Sequence, residues 1–220
     1  MWLIWKNRNS ILYADTQDST SRMLQDMKEE VDQWFFLNST TAGVDSSRTG
    51  VAEDDKWQLP EIGVLKCNIH ANWRNAFLHS GVAWITRDHE GNVSHHSRDA
   101  LCHMPNRMVA ELQCVLWAMR SLRDLQMTKV TIALDYQEVM EAIISPQKWP
   151  GFRNLLEQVE KLKGEFESLT FECVKASSNG IARDIAKSVL RDGRYQSYLA
   201  LGGPSWLHDR ILRENQRSNV

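Results

Sequence analysis

Asp135 closes the apolar run Lys129-Val130-Thr131-Ile132-Ala133-Leu134-Asp135, which reads as a buried strand. Glu111 precedes it on a helical stretch. It shares the spacing i, i+4, i+7, i+11 with Val115, Ala118 and Leu122, and so faces inward with the apolar stripe. Further upstream, Val64 to Trp73 alternates like a strand and carries His70 on its Lys66/Asn68 face. Strand, helix and strand in this order can each deliver one polar side chain to a single point. Two divalent metals about 3.5–4 Å apart, held by shared carboxylates, cleave phosphodiesters from such a point. Here the first strand supplies an imidazole where a carboxylate would be expected.

Each residue also has a plainer reading. Glu111 fits a favourable acid in the first turn of a helix, where it offsets the macrodipole. Asp135 fits an N-cap for a helix starting at Tyr136, with Glu138 three positions on as its capping partner. His70 alone fits a hydrogen-bonded boundary residue. His89, His95, His96 and His103 lack the ligand spacing of a zinc site. Ser80, Ser97 and the histidines form no nucleophile motif. The two carboxylates gain force together, because this element order brings strand one beside strand four.

The elements that must position these groups follow from periodicity. Alternation at Leu65, Cys67 and Ile69 predicts a first strand, Ser80 to Arg87 a second and Asn92 to Arg98 a third. Asp88-His89-Glu90-Gly91 supplies the hairpin turn between the last two. Helical spacing predicts helices over about 107–126, 136–145 (stopped by Pro146), 151–166 and 180–191. Strands over 130–134 and 169–175 complete the order βββαβααβα, a mixed sheet with helices packed on it and strand one between strands two and four.

Residues 38–56 are rich in Ser, Thr, Gly and acid and read as a flexible linker. Before them, 1–37 reads as a helical remnant with Met23, Met27, Val31 and Trp34 at helical spacing. The main domain spans 57–200, and 201–220 forms a C-terminal extension. At 220 residues, with 42% hydrophobic and 25% charged content, the chain affords an ordinary core. A net charge of −2 excludes a global basic signature, so any nucleic-acid contact must come from a local patch. Cys67, Cys102, Cys114 and Cys173 show no Cys-x-x-Cys pair and suit a reducing compartment. The apolar start is cut short by Lys6-Asn7-Arg8-Asn9, unlike a signal peptide. An intracellular location, nuclear or cytoplasmic, is therefore expected.

Several motifs then fall into one order. Trp57-x-x-Pro60-x-x-Gly63-x-x-Lys66-Cys67-Asn68-Ile69 resembles the opening of the plant RNase H-like domains of non-LTR retroelement reverse transcriptases. Trp84-x-x-x-Arg87-Asp88-x-x-Gly91, Ala110-Glu111-x-x-Cys114, Leu134-Asp135 and Asn179-x-x-Ala182-x-x-Ile185-Ala186 resemble later landmarks of that family. Trp5-Lys6-Asn7-Arg8-Asn9 is similar to the segment preceding the domain, and Gly202-Gly203-Pro204-x-Trp206-Leu207 to its C-terminal extension.

The resemblance implies an α/β RNase H-like fold, a mixed five-stranded sheet flanked by helices. It further implies two Mg²⁺ ions and endonucleolytic cleavage of the RNA strand of an RNA–DNA hybrid. Carried over by position, Glu111 and Asp135 are metal-binding and catalytic carboxylates. The first catalytic position falls on His70 and the fourth on Arg183. Asp184 is no substitute, since one residue along a helix turns a side chain by about 100°. Mg²⁺ prefers oxygen ligands, so weak metal binding and impaired cleavage are expected. The alternative is a non-catalytic binding or protein-interaction module derived from a retroelement. Asn106 and Gln137 flank the carboxylates and, with Arg183, are the expected substrate contacts; Arg107 and Lys148 are further phosphate candidates.

Overall fold

The first strand, β1 (Leu65–Asn72), is buried on both faces because it lies inside the sheet with helices above and below. The computed structural model describes residues 56–191, 193 and 195–218. The expected helical remnant at 1–37 and the linker up to residue 55 lie outside these. Along β1, Cys67, Ile69 and Ala71 join the larger apolar core. Lys66, Asn68 and His70 alternate with them onto the opposite face, where they too are buried.

β2 (Ser80–Arg87) pairs antiparallel with β1, and β3 (Val93–Leu101) antiparallel with β2. The turn between them forms at Asp88, whose carboxylate accepts from the amides of Glu90 (2.9 Å) and Asn92 (2.8 Å). Gly91 takes the positive φ of +81° that the turn requires. α1 (Arg107–Asp124) starts at Asn106, whose side chain accepts from the Val109 amide at 2.9 Å. β4 (Lys129–Leu134) returns parallel to β1. α2 (Gln137–Ile144), α3 (Arg153–Lys163), β5 (Ser168–Cys173) and α4 (Gly180–Arg191) follow. Two short 3₁₀ turns, Pro146–Lys148 and Pro150–Phe152, separate α2 from α3, each beginning at a proline that cannot continue a helix.

The sheet order is β5-β4-β1-β2-β3-β6, so strand one lies between strands two and four as the sequence pattern predicts. The mixed α/β architecture stands, with one strand more than expected. β6 (Tyr198–Leu201) pairs antiparallel with His95–Arg98 of β3. Only four residues long and about a hundred positions from its partner, it leaves no local signal of pairing. A 3₁₀ turn (Ser205–Leu207) and α5 (His208–Ser218) then close the described chain.

One face of the sheet is covered by α1, α2 and α3, through residues such as Leu112, Leu116, Val139 and Leu156. The other meets α4 and the last turn and helix, through Ile181, Ile185, Leu207 and Ile211. Gly81 lets α4 settle close: a Cβ there would lie 2.2 Å from the Ala186 carbonyl oxygen. Arg87, 1% exposed, lies on this second face, between the sheet and α5. Its guanidinium lies 3.6 Å from the Trp57 ring centre and donates to Asn68 (3.3 Å) and Glu214 (3.1 Å). Trp57 Nε1 donates to the same Asn68 oxygen at 2.8 Å, tying the start of the domain to β1. No helix among the described residues is long and apolar enough to cross a membrane.

Candidate functional site

The parallel register of β1 and β4 places Asn68 beside Ala133. Two residues further along each strand come His70 and Asp135, on the same face. His70 Nδ1 lies 3.1 Å from Asp135 Oδ1. An ionised carboxylate only accepts, so Nδ1 carries the hydrogen of this bond. Arg183, from the first turn of α4, donates through Nη1 to the other oxygen, Asp135 Oδ2. Both oxygens of Asp135 are therefore engaged, and its side chain is 1% exposed.

This corrects the N-cap reading of Asp135. The N-cap of α2 is Tyr136, with no side-chain capping bond, and the Tyr136 hydroxyl donates to Glu138. The Arg183 guanidinium and the His70 N–H outcompete a helix end for the same carboxylate, because bonds between ionised partners are roughly twice as strong as neutral ones.

Glu111 approaches the same strand end from α1. Its Oε2 accepts from the Ala71 amide at 3.3 Å. Oε1 lies 3.5 Å from Arg107 Nε, at ion-pair distance but without a hydrogen bond, and is buried. The Arg107 guanidinium also sits 4.1 Å from the Tyr136 ring centre. Sequence reasoning placed Arg107 only as a phosphate contact; the spacing of four between Arg107 and Glu111 was the signal of their pairing.

The two carboxyls are pushed in opposite directions. Burial raises Glu111, as does the charge of Asp135, against the opposing pull of His70, Arg107 and the Ala71 amide. Burial also acts to raise Asp135, but the hydrogen bond and charge of His70, together with Arg183, hold it well below the ordinary carboxylate range.

Asn106 and Gln137 lie exposed at the starts of α1 and α2, flanking this cluster. Asn106 Oδ1 is committed to its cap, and Gln137 Nε2 donates to Glu141 at 3.0 Å. Among the described residues, Asn106 Nδ2 and Gln137 Oε1 have no such commitment. Lys148 is not brought to the cluster: it lies past the far end of α2, whose eight residues span about 12 Å. Asp184 turns away from Asp135 and is held by Arg210 of α5.

The donor set does not fit two Mg²⁺ ions. Among the described residues no three His, Cys, Asp or Glu side chains are grouped to hold a metal. One candidate carboxylate is already neutralised by two donors, and the other is biased toward its protonated form. A divalent ion 4 Å from the Arg183 guanidinium would be repelled by roughly 8 kcal/mol at an effective dielectric of 20.

A mixed sheet with this strand order and a polar cluster at the shared end of β1 and β4 defines an RNase H-like domain. Solved structures agree on the fold. RNase H1 from the halophilic archaeon Halobacterium salinarum superposes with a TM-score of 0.54 at 18% identity, covering 59% of this chain and 99% of that one. LC11-RNase H1, in a crystal structure with RNA/DNA hybrid, gives 0.51 at 16% identity, covering 59% and 97%. The family model described as reverse transcriptase-like matches residues 68–189, more than half of the chain. The chain belongs to this reverse transcriptase-like family, as an RNase H-like domain of retroelement type. A curated protein from Arabidopsis thaliana, putative protein phosphatase 2C-like protein 45, is 67% identical over 41 residues. That match spans 19% of this chain and only 17% of the Arabidopsis protein.

Proposed function

We propose that this domain binds RNA–DNA hybrid on the face bearing His70, Glu111, Asp135 and Arg183, and that it does not perform efficient Mg²⁺-dependent cleavage. One observation carries the second part: both oxygens of Asp135 are held by this chain's own donors, the His70 imidazole and the Arg183 guanidinium. Metal entry would require displacing Arg183 and His70 from a carboxylate whose two oxygens are already engaged by charge-assisted or N–H donors. Hybrid binding is supported by the family and by the solved hybrid complex of LC11-RNase H1.

The residues present suit binding better than bond cleavage. Arg107 and Arg183 are partly exposed, at 42% and 27%, and can meet phosphate while their inner edges hold Glu111 and Asp135. Asn106 Nδ2 and Gln137 Oε1 offer a donor and an acceptor to 2′-hydroxyls, the groups that separate RNA from DNA. The competing reading is the family cleavage reaction, kept alive by the presence of both Glu111 and Asp135.

A labelled-hybrid cleavage assay and titration calorimetry with Mg²⁺ decide between them. The wild-type chain is expected to bind hybrid equally with Mg²⁺ or EDTA, to give no heat with Mg²⁺ and to leave the RNA strand intact. His70→Asp combined with Arg183→Asp is expected to bind Mg²⁺ measurably. Robust wild-type cleavage abolished by Glu111→Gln would refute the proposal in favour of the nuclease. Failure to distinguish hybrid from double-stranded DNA at matched salt would remove the 2′-hydroxyl role of Asn106 and Gln137.

A further inference from the structure

A second group of cations begins one helical turn beyond the site. α4 turns Ile181, Ala182, Ile185 and Ala186 to the sheet, so Arg183 and Lys187, four residues apart, lie together on its outer side. Arg74 stands exposed in the loop between β1 and β2. The close approach of Gly81 to Ala186 draws that end of the hairpin up against α4.

The Lys187 ammonium is pushed below its ordinary value, by burial first and then by Arg183, Arg210 and Arg74, with Asp184 opposing. With Gly81 set against Ala186, the end of the hairpin that bears Arg74 and the outer side of α4 face one surface. Arg183 is engaged by Asp135, and Arg210 by Asp184 and Glu214. Among the described residues neither Arg74 nor Lys187 has an ion-pair partner. Asp184 is the counter-charge felt at Lys187 and is itself held by Arg210, which leaves Arg74 and Lys187 to share a phosphate.

Aromatic rings border the same loop. Phe77 is 74% exposed. His79 stacks on Tyr195 with ring centres 4.6 Å apart and planes at 19°. Cations follow a phosphate backbone, and exposed rings stack with bases that have no neighbour of their own. Bases inside a duplex are already stacked, so the rings suit a single strand.

We propose that Arg183, Lys187 and Arg74, with Phe77 and the His79–Tyr195 pair, form a track for a single-stranded nucleic-acid segment leaving the candidate site. This rests on the hybrid-binding reading above and extends it to the flanking strand. A preference for hybrids with an overhang follows directly.

Fluorescence anisotropy can test it, using a blunt RNA–DNA hybrid and the same hybrid with a single-stranded overhang across a salt series. The wild-type chain is expected to bind the overhung hybrid more tightly. Arg74→Gln with Lys187→Gln should erase that preference and lower the slope of log K against log salt by about 1.4, from two phosphates at about 0.7 each. Phe77→Ala should weaken overhang binding roughly five-fold or more without changing the slope. Thermal melting checks that each variant folds. If the double variant does not, Arg74→Gln alone, at an exposed position, should show half the slope change. Equal wild-type binding of both hybrids, or a double variant that keeps preference and slope, overturns the track and leaves hybrid binding standing. Binding of neither hybrid overturns both readings.

Discussion

Glu111 and Asp135 are two buried acids a short distance apart, yet their environments ask opposite things of them. Glu111 has a folded value raised above its ordinary 4.5, so its ionised form costs stability at neutral pH. Its favourable contribution is complete below that value and is lost as pH rises through the raised one. Glu111→Gln keeps an oxygen for the Ala71 amide and removes the buried charge. It is therefore expected to stabilise the domain by about 0.5–2 kcal/mol at neutral pH, with the gain vanishing in acid. Asp135 has a folded value depressed below its ordinary 3.8. Its contribution is present above that value and lost as pH falls toward the depressed one. Asp135→Asn should cost about 3 kcal/mol at pH 7, a difference that narrows below the ordinary value. Denaturant unfolding of both variants across the pH range measures both effects. A stabilising Asp135→Asn would contradict the pairing with His70 and Arg183.

At the scale of elements, the C-terminal helix α5 completes the fold more than it appends to it. Arg87 is buried, and burial lowers its guanidinium to about 10, opposed by the charge and hydrogen bond of Glu214. A buried cation stripped of its partner is strongly unfavourable. Glu214→Gln is expected to lower stability by about 3 kcal/mol, read as a fall in melting temperature. Ending the chain before Pro204 would also uncover the core residues that Leu207 and Ile211 pack against. Each such side chain is worth about 1.5–3 kcal/mol when buried. That shortened domain should melt earlier and aggregate, which light scattering would detect; an unchanged melting temperature would refute the role given to α5.

For the molecule as a whole, the internal ion pairs do the work of holding together the ends of β1, β4 and α4. A domain whose native state binds a metal gains RT ln(1 + [L]/Kd) of stability from it. The wild-type melting temperature should therefore be the same in Mg²⁺ and in EDTA. The His70→Asp, Arg183→Asp double variant should melt lower in EDTA, where facing carboxylates repel, and recover with added Mg²⁺. Differential scanning fluorimetry reads both. A wild-type shift on adding Mg²⁺ would mean that the ion displaces Arg183 after all.

Hydrophobic period was enough to read the element order, the central place of strand one and the inward turn of Glu111 from the chain. Each is set by residues close in sequence: alternation along β1, the four-residue stripe of α1, the turn at Asp88 to Gly91. The meeting of positions 70, 111, 135 and 183 was also legible, through motif order. Their interactions were not. That Asp135 gives its oxygens to His70 and Arg183, and leaves the helix end uncapped, depends on partners 65 and 48 residues away. The sixth strand, the Trp57–Arg87–Glu214 tie and the approach of Gly81 to Ala186 join segments distant in sequence too. Periodicity reports which way a side chain faces relative to its own element, whereas charge pairing depends on which elements meet. Only the packed sheet and helices decide that.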